Sequence, residues 1–525
     1  MSPSVTRKLF IGVDIGTQGV KAAVYDADGQ CCGEAFRKSE LLHPAAGAVE
    51  EDPERQVRST CEAIAECAAR AAGKGTVRAL AIDGQMAGII GVGEDGRHVT
   101  PYDSWLDTRC APWIECMQRE AGAEIVRKAG GPPSFNHGPK ILWWKHEQPK
   151  TYERIRSFVQ PGGYAAMRLC GLDGSRAFID TSYLHFSGFA DTRAAAWDPA
   201  LCRRFSVDAG VLPRIVASHD VIGELVPAMA KACGLPAGIP VIAGCGDTAA
   251  SFLSCGATRP GISVDVAGTA SVFAATTAGY RADEKAMVLS CGRSAVPGLW
   301  HPYAYINGGG MNLEWFREQI AGGLAGRGSA AGAGPAAAAL DFDRLNEMAA
   351  AVTPAEDDPI FIPHLGGRVS PSQPRMRGGW VGLAWSHGPG HLFRAVLEGV
   401  ALEYGIYLRT LESLFGTGTV TELRVTGGGE KSAVWNRIKA DTLGVPIVQV
   451  MGAAGAPLGS ALLAGYGEGT LRDIQAAAGR WIRTGAVTQP DSQRVTAGRR
   501  RIERYAALLE SINGWASSEA SASAG

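Results

Sequence analysis

Asp247 stands in "GCGDTAAS", residues 244 to 251, behind the apolar run "IPVIA" and with no basic residue nearby to pair with it. Two kinds of chemistry suit a carboxylate there. It can cap a helix read over "TAASFLSCGA", accepting hydrogen bonds from the first free N–H groups and held ionised by the helix dipole. Or it can be a general base, kept charged by that same helix end and aimed into a cleft. The local sequence leaves both open. A second acid, Asp14, ends the apolar alternation in "KLFIGVDIGTQGVKAAVYD". It reads either as a turn residue satisfying the "DIGT" backbone or as an anchor for Mg²⁺, through water because that ion keeps most of its hydration shell. Three glycine-rich turns, in "DIGTQG", "VAGTAS" and "VTGGGEKS", follow strands and offer backbone N–H groups to a phosphate. Two of them carry Gly-Thr, at Gly16-Thr17 and Gly268-Thr269, which sets a hydroxyl beside a free amide. There is no Walker "GxxxxGK[ST]", and no GxGxxG follows the first strand, so a nucleotide site has to be assembled from two opposed hairpins.

The elements that must position these residues are of α/β type. The opening segment reads strand, tight turn, strand, with "DADG" as a second hairpin signal. "QVRSTCEAIAECAARAAG" has apolar and small residues at helical spacing, and "VRALAID" is a buried strand. The second half repeats the theme: "GISVDVAGTASVFAATT" is strand, Gly-Thr turn, strand, and "ELRVTGGGEKSAVWNRIKADTLG" is strand, glycine triplet, helix. The echo suggests a duplicated architecture. Residues 321 to 340, "AGGLAGRGSAAGAGPAAAAL", are of low complexity and read as a flexible surface insertion. The tail "ASSEASASAG" reads as disordered.

The chain has 525 residues, enough for two or more domains with sizeable cores. Its 51 Lys and Arg against 52 Asp and Glu leave a net charge of −1, with no footprint for nucleic acid or an anionic membrane. No stretch is apolar and long enough to span a bilayer, and "MSPSVTRKLF" has no signal-peptide core, so a cytoplasmic location is expected. The 12 cysteines are scattered without a CxxC and read as small buried residues or inert thiols. His387 and His391 in "HGPGH" are separated by Pro and Gly, which disfavours a helical metal pair.

With these residues in place, "FIGVDIGTQGVKAAVYD", "DVAGTASVF" and "VTGGGEKSAVW" resemble the two phosphate segments and the adenosine segment of the actin-like ATPase superfamily. More narrowly, "GGWVGLAWSHGPGHLFRAVLEGVALEY" resembles the C-terminal signature of the FGGY carbohydrate kinases, with Gly378, Trp380, Gly382, Leu383, His391, Leu392 and Glu398 at that family's spacing. "IDGQMAG", "YDSWLDTR" and "AGCGDTAAS" fall where those kinases place their sugar site and catalytic acid. The resemblance runs over about residues 9 to 512. The first FGGY signature, around "GPKILWWKHEQP", fits at Lys140 and Trp143 but has His137 where a small residue is usual.

The resemblance implies two ribonuclease H-like domains with a central cleft, ATP and Mg²⁺ as cofactors, and phosphorylation of a small sugar. On this reading residues 1–256 form the N-terminal domain with the sugar site and first phosphate segment, 257–512 the C-terminal domain with the second phosphate and adenosine segments, and 513–525 a disordered tail. Asp247 is then the base, and Asp14 holds the metal through water. Thr17, Gln18, Lys21, Gly268, Thr269, Gly310, Glu314, Gly428, Gly429 and Ala433 are assigned to the nucleotide. Gln85, Met86, Ala87, Trp105, Asp107, Asn136, His137 and Thr248 are assigned to the sugar, with Asp107 available for hydroxyls. Xylulokinases read Gln-Met-His-Gly where this chain has "QMAG", and usually place Asn after the catalytic acid, where Thr248 stands here. Glycerol kinases place Arg-Glu at the positions of Met86 and Ala87, which argues against glycerol. A ketose such as xylulose, or a polyol, remains, with no nucleic acid or membrane as partner and a homodimer allowed. A nucleotide-dependent sugar sensor of the same fold, and an ATPase acting on a partner protein, are the other classes; the intact acids and both Gly-Thr turns speak against the first and the FGGY signature against the second.

Overall fold

The computed structural model describes residues 7–321, 340–452 and 455–522. The chain forms two compact units: Met1–Pro260 with Thr276–Pro302 and Gly452–Arg483, and Gly261–Ala275 with Tyr303–Met451 and Thr484–Gly525.

In the first unit β1 (Lys8–Ile15), β2 (Gly19–Asp26) and β3 (Cys31–Lys38) run as an antiparallel meander. β4 (Thr76–Gly84) lies parallel to β1 on its other side, followed by β5 (Val221–Glu224) and β6 (Pro240–Ile242). The order across the sheet is β3-β2-β1-β4-β6-β5. Central strands covered on both faces are apolar almost throughout, and β1 shows this: Leu9, Ile11, Val13 and Ile15 enter one core, while Phe10 enters the other. The first core is closed by the helix Pro53–Arg70, whose Val57, Cys61, Ile64 and Cys67 recur at helical spacing. Asp52 caps that helix by accepting from the Glu54 N–H, and Pro53 occupies its first turn, where no N–H is needed. The second core is closed by the helix Ala456–Gly467, far along the chain. Its approach explains Gly12 in mid-strand: a Cβ there would lie 1.8 Å from the Pro457 carbonyl oxygen.

The second unit repeats the pattern. Six consecutive strands of its sheet are β7 (Ile262–Ala267), β8 (Ser271–Ala275), β9 (Trp300–Ile306), β10 (Glu422–Gly427), β11 (Ile447–Met451) and β12 (Arg483–Thr488), in the order β9-β8-β7-β10-β11-β12. As in the first unit, an antiparallel hairpin is followed by parallel pairing of its first strand, β7 with β10, and then of β10 with β11. The internal echo in the sequence is therefore a repeated sheet topology. The long motif over residues 378–404 works mainly as packing. Trp380 donates its indole N–H to the Leu392 carbonyl, Glu398 pairs with Arg394 and Arg501, and Gly399 lies against the Phe361 backbone. His387 and His391 each accept a backbone N–H on Nδ1, from Ala384 and Gly388.

Two sequence expectations concern poorly patterned segments. Residues 322–339, nearly all of the low-complexity insertion, lie outside the described residues, as do 523–525. The rest of the segment read as a disordered tail is helical, because the helix Ser492–Ala522 continues into it. Ala, Ser and Glu extend an existing helix without the cost of nucleating one.

Candidate active site

The first unit gathers three carboxylates at the C-terminal ends of its parallel strands. Asp14 in β1 sits opposite Asp83 in β4, and Gly84 bridges to Gly246, so Asp247 follows at the same end of the sheet. This is the end at which open α/β sheets bind ligands. Asp83 is fully buried and accepts from Ser460 Oγ at 2.5 Å on Oδ2. Neither Asp14 Oδ1 nor Asp83 Oδ1 receives a donor from the described residues, unless one acid is protonated and donates to the other. Burial, and then the Asp14 charge, push the Asp83 carboxyl well above the ordinary carboxylate range. Burial raises Asp14 to about 6, against the pull of Asp83 and Lys21; Lys21 faces Asp14 across the hairpin. Sequence reasoning passed over Asp83. The available signal was an acid closing the otherwise apolar strand "ALAID".

Asp247 is the first residue of the helix Asp247–Ser254, with Gly246 in the cap position. Its Oδ1 accepts from the Thr248 N–H at 2.5 Å and from Thr248 Oγ1 at 3.1 Å. The expectation that the helix end holds it ionised needs correction. Burial, reinforced by the Asp14 charge, outweighs those two hydrogen bonds and raises its pKa to about 7. A carboxylate poised there is matched to taking a proton near neutral pH.

Around these acids the predicted sugar residues form a connected network. Gln85 is buried; its Nε2 donates to Glu51 at 2.9 Å, and its Oε1 accepts from Tyr102 OH at 3.3 Å and Thr17 Oγ1 at 3.4 Å. The half-exposed Trp105 donates its indole N–H to Thr17 Oγ1 at 2.9 Å, which ties the predicted sugar loop to the first Gly-Thr turn. Gln18 and Lys21 are exposed and Ala87 is partly exposed. Met86 is buried against Gly246, where a Cβ would lie 1.8 Å from its sulfur. His137 is buried and donates from Nε2 to the Met86 carbonyl at 2.7 Å; burial lowers its pKa to about 4, so the ring is neutral. Beside it the buried Asn136 has an Oδ1 with no hydrogen-bond partner among the described residues. Asp107 is not the free hydroxyl acceptor anticipated. Both its oxygens are engaged, by the Val49 and Arg109 N–H groups and by the Arg109 guanidinium at 2.7 Å. The motif spacing gave no sign that Arg109, two residues on, folds back onto it.

In the second unit Gly268 and Thr269 are exposed at the β7–β8 turn. Gly310 and Met311 donate their N–H groups to the Gly268 and Thr269 carbonyls at 3.1 Å. The approach is close: a Cβ on Gly310 would lie 2.2 Å from the Gly268 oxygen. Ala267 pairs with Gly427, so the glycine triplet containing Gly428 and Gly429 leaves the sheet beside the Gly-Thr turn. Gly428 has open space around it, and Ala433 is exposed at the start of the helix Ala433–Leu443. Glu314, on the helix Gly309–Trp315, is exposed and paired with Arg317. The structure thus brings Gly268, Thr269, Gly310 and the triplet to one end of this sheet.

Comparison with known proteins identifies the family and the fold. The N-terminal domain of the FGGY family of carbohydrate kinases matches residues 9–254, and the C-terminal domain of that family matches residues 264–468. The chain is 26% identical to a xylulose kinase of Bacillus subtilis (strain 168) over 498 residues, 93% of this chain and 94% of that one. It is 24% identical to a gluconokinase of the same organism over 471 residues, 89% of each. Among solved structures, the xylulose kinase from Rhodospirillum rubrum superposes with a TM-score of 0.86 at 25% identity, covering 97% of this chain and 99% of that chain. With both family domains matched in order over most of its length, on a sheet topology repeated in two units, the chain belongs to the FGGY family of carbohydrate kinases and has the actin-like ATPase fold.

Proposed function

We propose that this kinase transfers the γ-phosphoryl group of ATP to a hydroxyl of a small ketose or polyol, with Asp247 as the general base. The observation that carries the reading is a carboxylate with a pKa of about 7 at the ligand-binding end of the sheet, where a neutral-pH proton acceptor is needed. The sugar oxygen forms a bond to the γ-phosphorus, the bond from that phosphorus to the β–γ bridging oxygen breaks, and ADP leaves. The hydroxyl proton passes to the Asp247 carboxylate. Such a reaction asks the protein mainly for positioning and charge stabilisation.

Asp14 is assigned to Mg²⁺. The fit rests on its unpartnered, buried Oδ1 and on the second carboxylate beside it. Mg²⁺ is commonly held by one or two carboxylates with water and phosphate oxygens completing its shell. Among the described residues no group of three or more His, Cys, Asp or Glu side chains could cage an ion, which suits that mode of binding. When bound, the ion supplies charge neutralisation at the phosphates. Thr17, Gln18 and Lys21 are assigned to the terminal phosphates, and Gly268, Thr269, Gly310, Glu314, Gly428, Gly429 and Ala433 to the nucleotide.

For the sugar, Gln85, Met86, Ala87, Trp105, Asn136, His137 and Thr248 are assigned to the pocket, with Asp107 as the acid that secures Arg109. The unpartnered Asn136 Oδ1 is suited to accept a sugar hydroxyl. Ala87 withholds the donor that a histidine supplies in xylulokinases, so D-xylulose is a weak substrate on this reading. ADP release measured with Mg·ATP over a panel of ketoses, polyols and gluconate tests it. Stimulation by a ketose or polyol is expected; stimulation by none overturns the proposal. Ala87→His should raise kcat/KM for D-xylulose relative to the best panel sugar by about tenfold, the worth of one hydrogen bond. A wild type that prefers D-xylulose to every other sugar would remove the argument from Ala87.

A further inference from the structure

The segment that delivers Asp247, residues 244–246, is held by side chains from a distant stretch of chain. The buried Asp180 is the anchor. Its Oδ1 accepts from Ser182 Oγ at 2.5 Å, and its Oδ2 accepts from the Ser182 N–H at 3.1 Å and from the Ser218 hydroxyl. Ser182 Oγ, its own proton committed to Asp180, accepts from the Gly246 N–H at 2.9 Å. The Ser218 carbonyl accepts from the Gly244 N–H at 3.1 Å. Tyr183 OH reaches two carbonyls, Gly84 at 3.0 Å and Cys245 at 3.2 Å, and so ties the end of β4 to the peptide just before Asp247. Its ring is packed in a small apolar cluster with Met86, Ile179, Leu184 and Ala190, and Met86 in turn presses on Gly246.

These bonds account for one backbone group in each of the three residues ahead of the acid: Gly244 N–H, Cys245 C=O and Gly246 N–H. They act together with the Gly84–Gly246 bridge and the buried Cys245 side chain, and they matter because two of the three residues are glycines without side chains to pack. The helix behind Asp247 is only eight residues long and fixes the acid from one side. A base must sit within hydrogen-bond reach of the hydroxyl it deprotonates, and displacement by about 1 Å can cost about 10²-fold in rate.

We propose that Ser182 and Tyr183, anchored through Asp180, are positioning residues that set where the Asp247 carboxylate stands. The proposal rests on Asp247 being the base. Through their hydroxyls Ser182 and Tyr183 hold the backbone just before Asp247 and the end of β4. The Tyr183 ring also packs on Met86 and lies 6.3 Å from the His137 ring, contacts that Tyr183→Phe keeps, so loss of the hydroxyl acts on rate through the segment that carries Asp247.

The variants are Ser182→Ala, Tyr183→Phe, Asp247→Asn and each of the first two combined with Asp247→Asn, assayed with Mg·ATP and the panel sugar of highest turnover. Tyr183→Phe keeps the packed ring and loses only the hydroxyl, so it reports even if Ser182→Ala folds poorly. The expected result is a fall in kcat of about tenfold or more with KM for the sugar within about twofold, and no further fall when either change is added to Asp247→Asn. Crystal structures of the single variants should show the Asp247 carboxylate displaced, with β1 and β4 unmoved. Wild-type kcat in Tyr183→Phe and Ser182→Ala alongside an impaired Asp247→Asn overturns the positioning role and leaves the base intact. Losses that multiply in the Asp247→Asn background overturn it as well. An Asp247→Asn variant with wild-type kcat overturns the base, and the positioning role with it.

Discussion

The two hairpins, β1–β2 and β7–β8, occupy the same place in two sheets of the same topology, yet they treat charge in opposite ways. Counting back from each Gly-Thr turn, Asp14 corresponds to Val266. Across to the parallel neighbour, Asp83 corresponds to Thr426. Across the hairpin, Lys21 faces Asp14 while Val272 faces Val266. The second unit also buries acids, and two of them, Asp265 and Glu403, have counter-charges. Asp265, one residue before Val266 and so on the opposite face of its strand, is paired with Lys439 and accepts from Tyr404 OH at 2.7 Å. Glu403 accepts from Arg368 at 2.8 Å and from Tyr505 OH at 2.7 Å; although burial pushes it up, His364 and Arg368 bring it down to about 2. At the site end of the first unit burial outweighs the groups that oppose it, and Asp14, Asp83 and Asp247 are all raised. Burial raises a carboxyl pKa and a nearby counter-charge lowers it, so raised acids gathered at one end of a sheet mark a candidate reaction site.

The contrast breaks most readily at Asp247. Asp247→Ala should lower kcat by about 10²–10⁴-fold while nucleotide still binds, as loss of a general base does. A variant that keeps more than about a tenth of wild-type kcat would return Asp247 to being a helix-end residue. Next is the opposite prediction for the second unit. Lys439→Met leaves Asp265 buried without its cation and should cost about 3–5 kcal/mol in denaturant unfolding, with kcat of the folded fraction unchanged. Loss of turnover without loss of stability would mean that the second unit's acid also serves the reaction.

Asp14→Asn should shift the Mg²⁺ concentration giving half-maximal rate upward by about tenfold, with sugar binding nearly intact. Overlap with wild type across the titration would make Asp14 a turn residue, and the difference between Asp14 and Val266 would lose its meaning. The smallest effect is the pH dependence. On the proposed mechanism Asp247 works ionised, and its folded-state pKa is raised to about 7, so kcat should fall as pH drops through that value, to about half its plateau at pH 7. Glu403, at about 2, adds nothing in this window. A kcat that is flat from pH 8 to pH 6 would contradict the raised pKa of Asp247.

Much of this was readable from residue order. The hairpin echo, the Gly-Thr turns, Asp14 and Asp247 are local patterns, and backbone geometry is set locally by alternation and by glycine. What no local pattern carries is which groups arrive from elsewhere in the chain. Asp107 looked free in "WLDTR", but Arg109 and Val49 consume it. Asp83 counts only because β4 lies beside β1, and Ser460 reaches it from a helix nearly 400 residues further on. The segment Gly452–Arg483 joins the first unit although the family's C-terminal match runs through residue 468. Ser182 and Tyr183 carry no motif, and only the fold shows that they touch the peptides before Asp247. The sequence by itself determined the repeated strand-turn-strand units and the residues placed at their ends, because side-chain periodicity and turn chemistry act over a few residues. The tertiary structure alone decided which acids are paired, which are raised, and how Asp247 is held, because desolvation and charge depend on what packs within a few ångströms, whatever its distance along the chain.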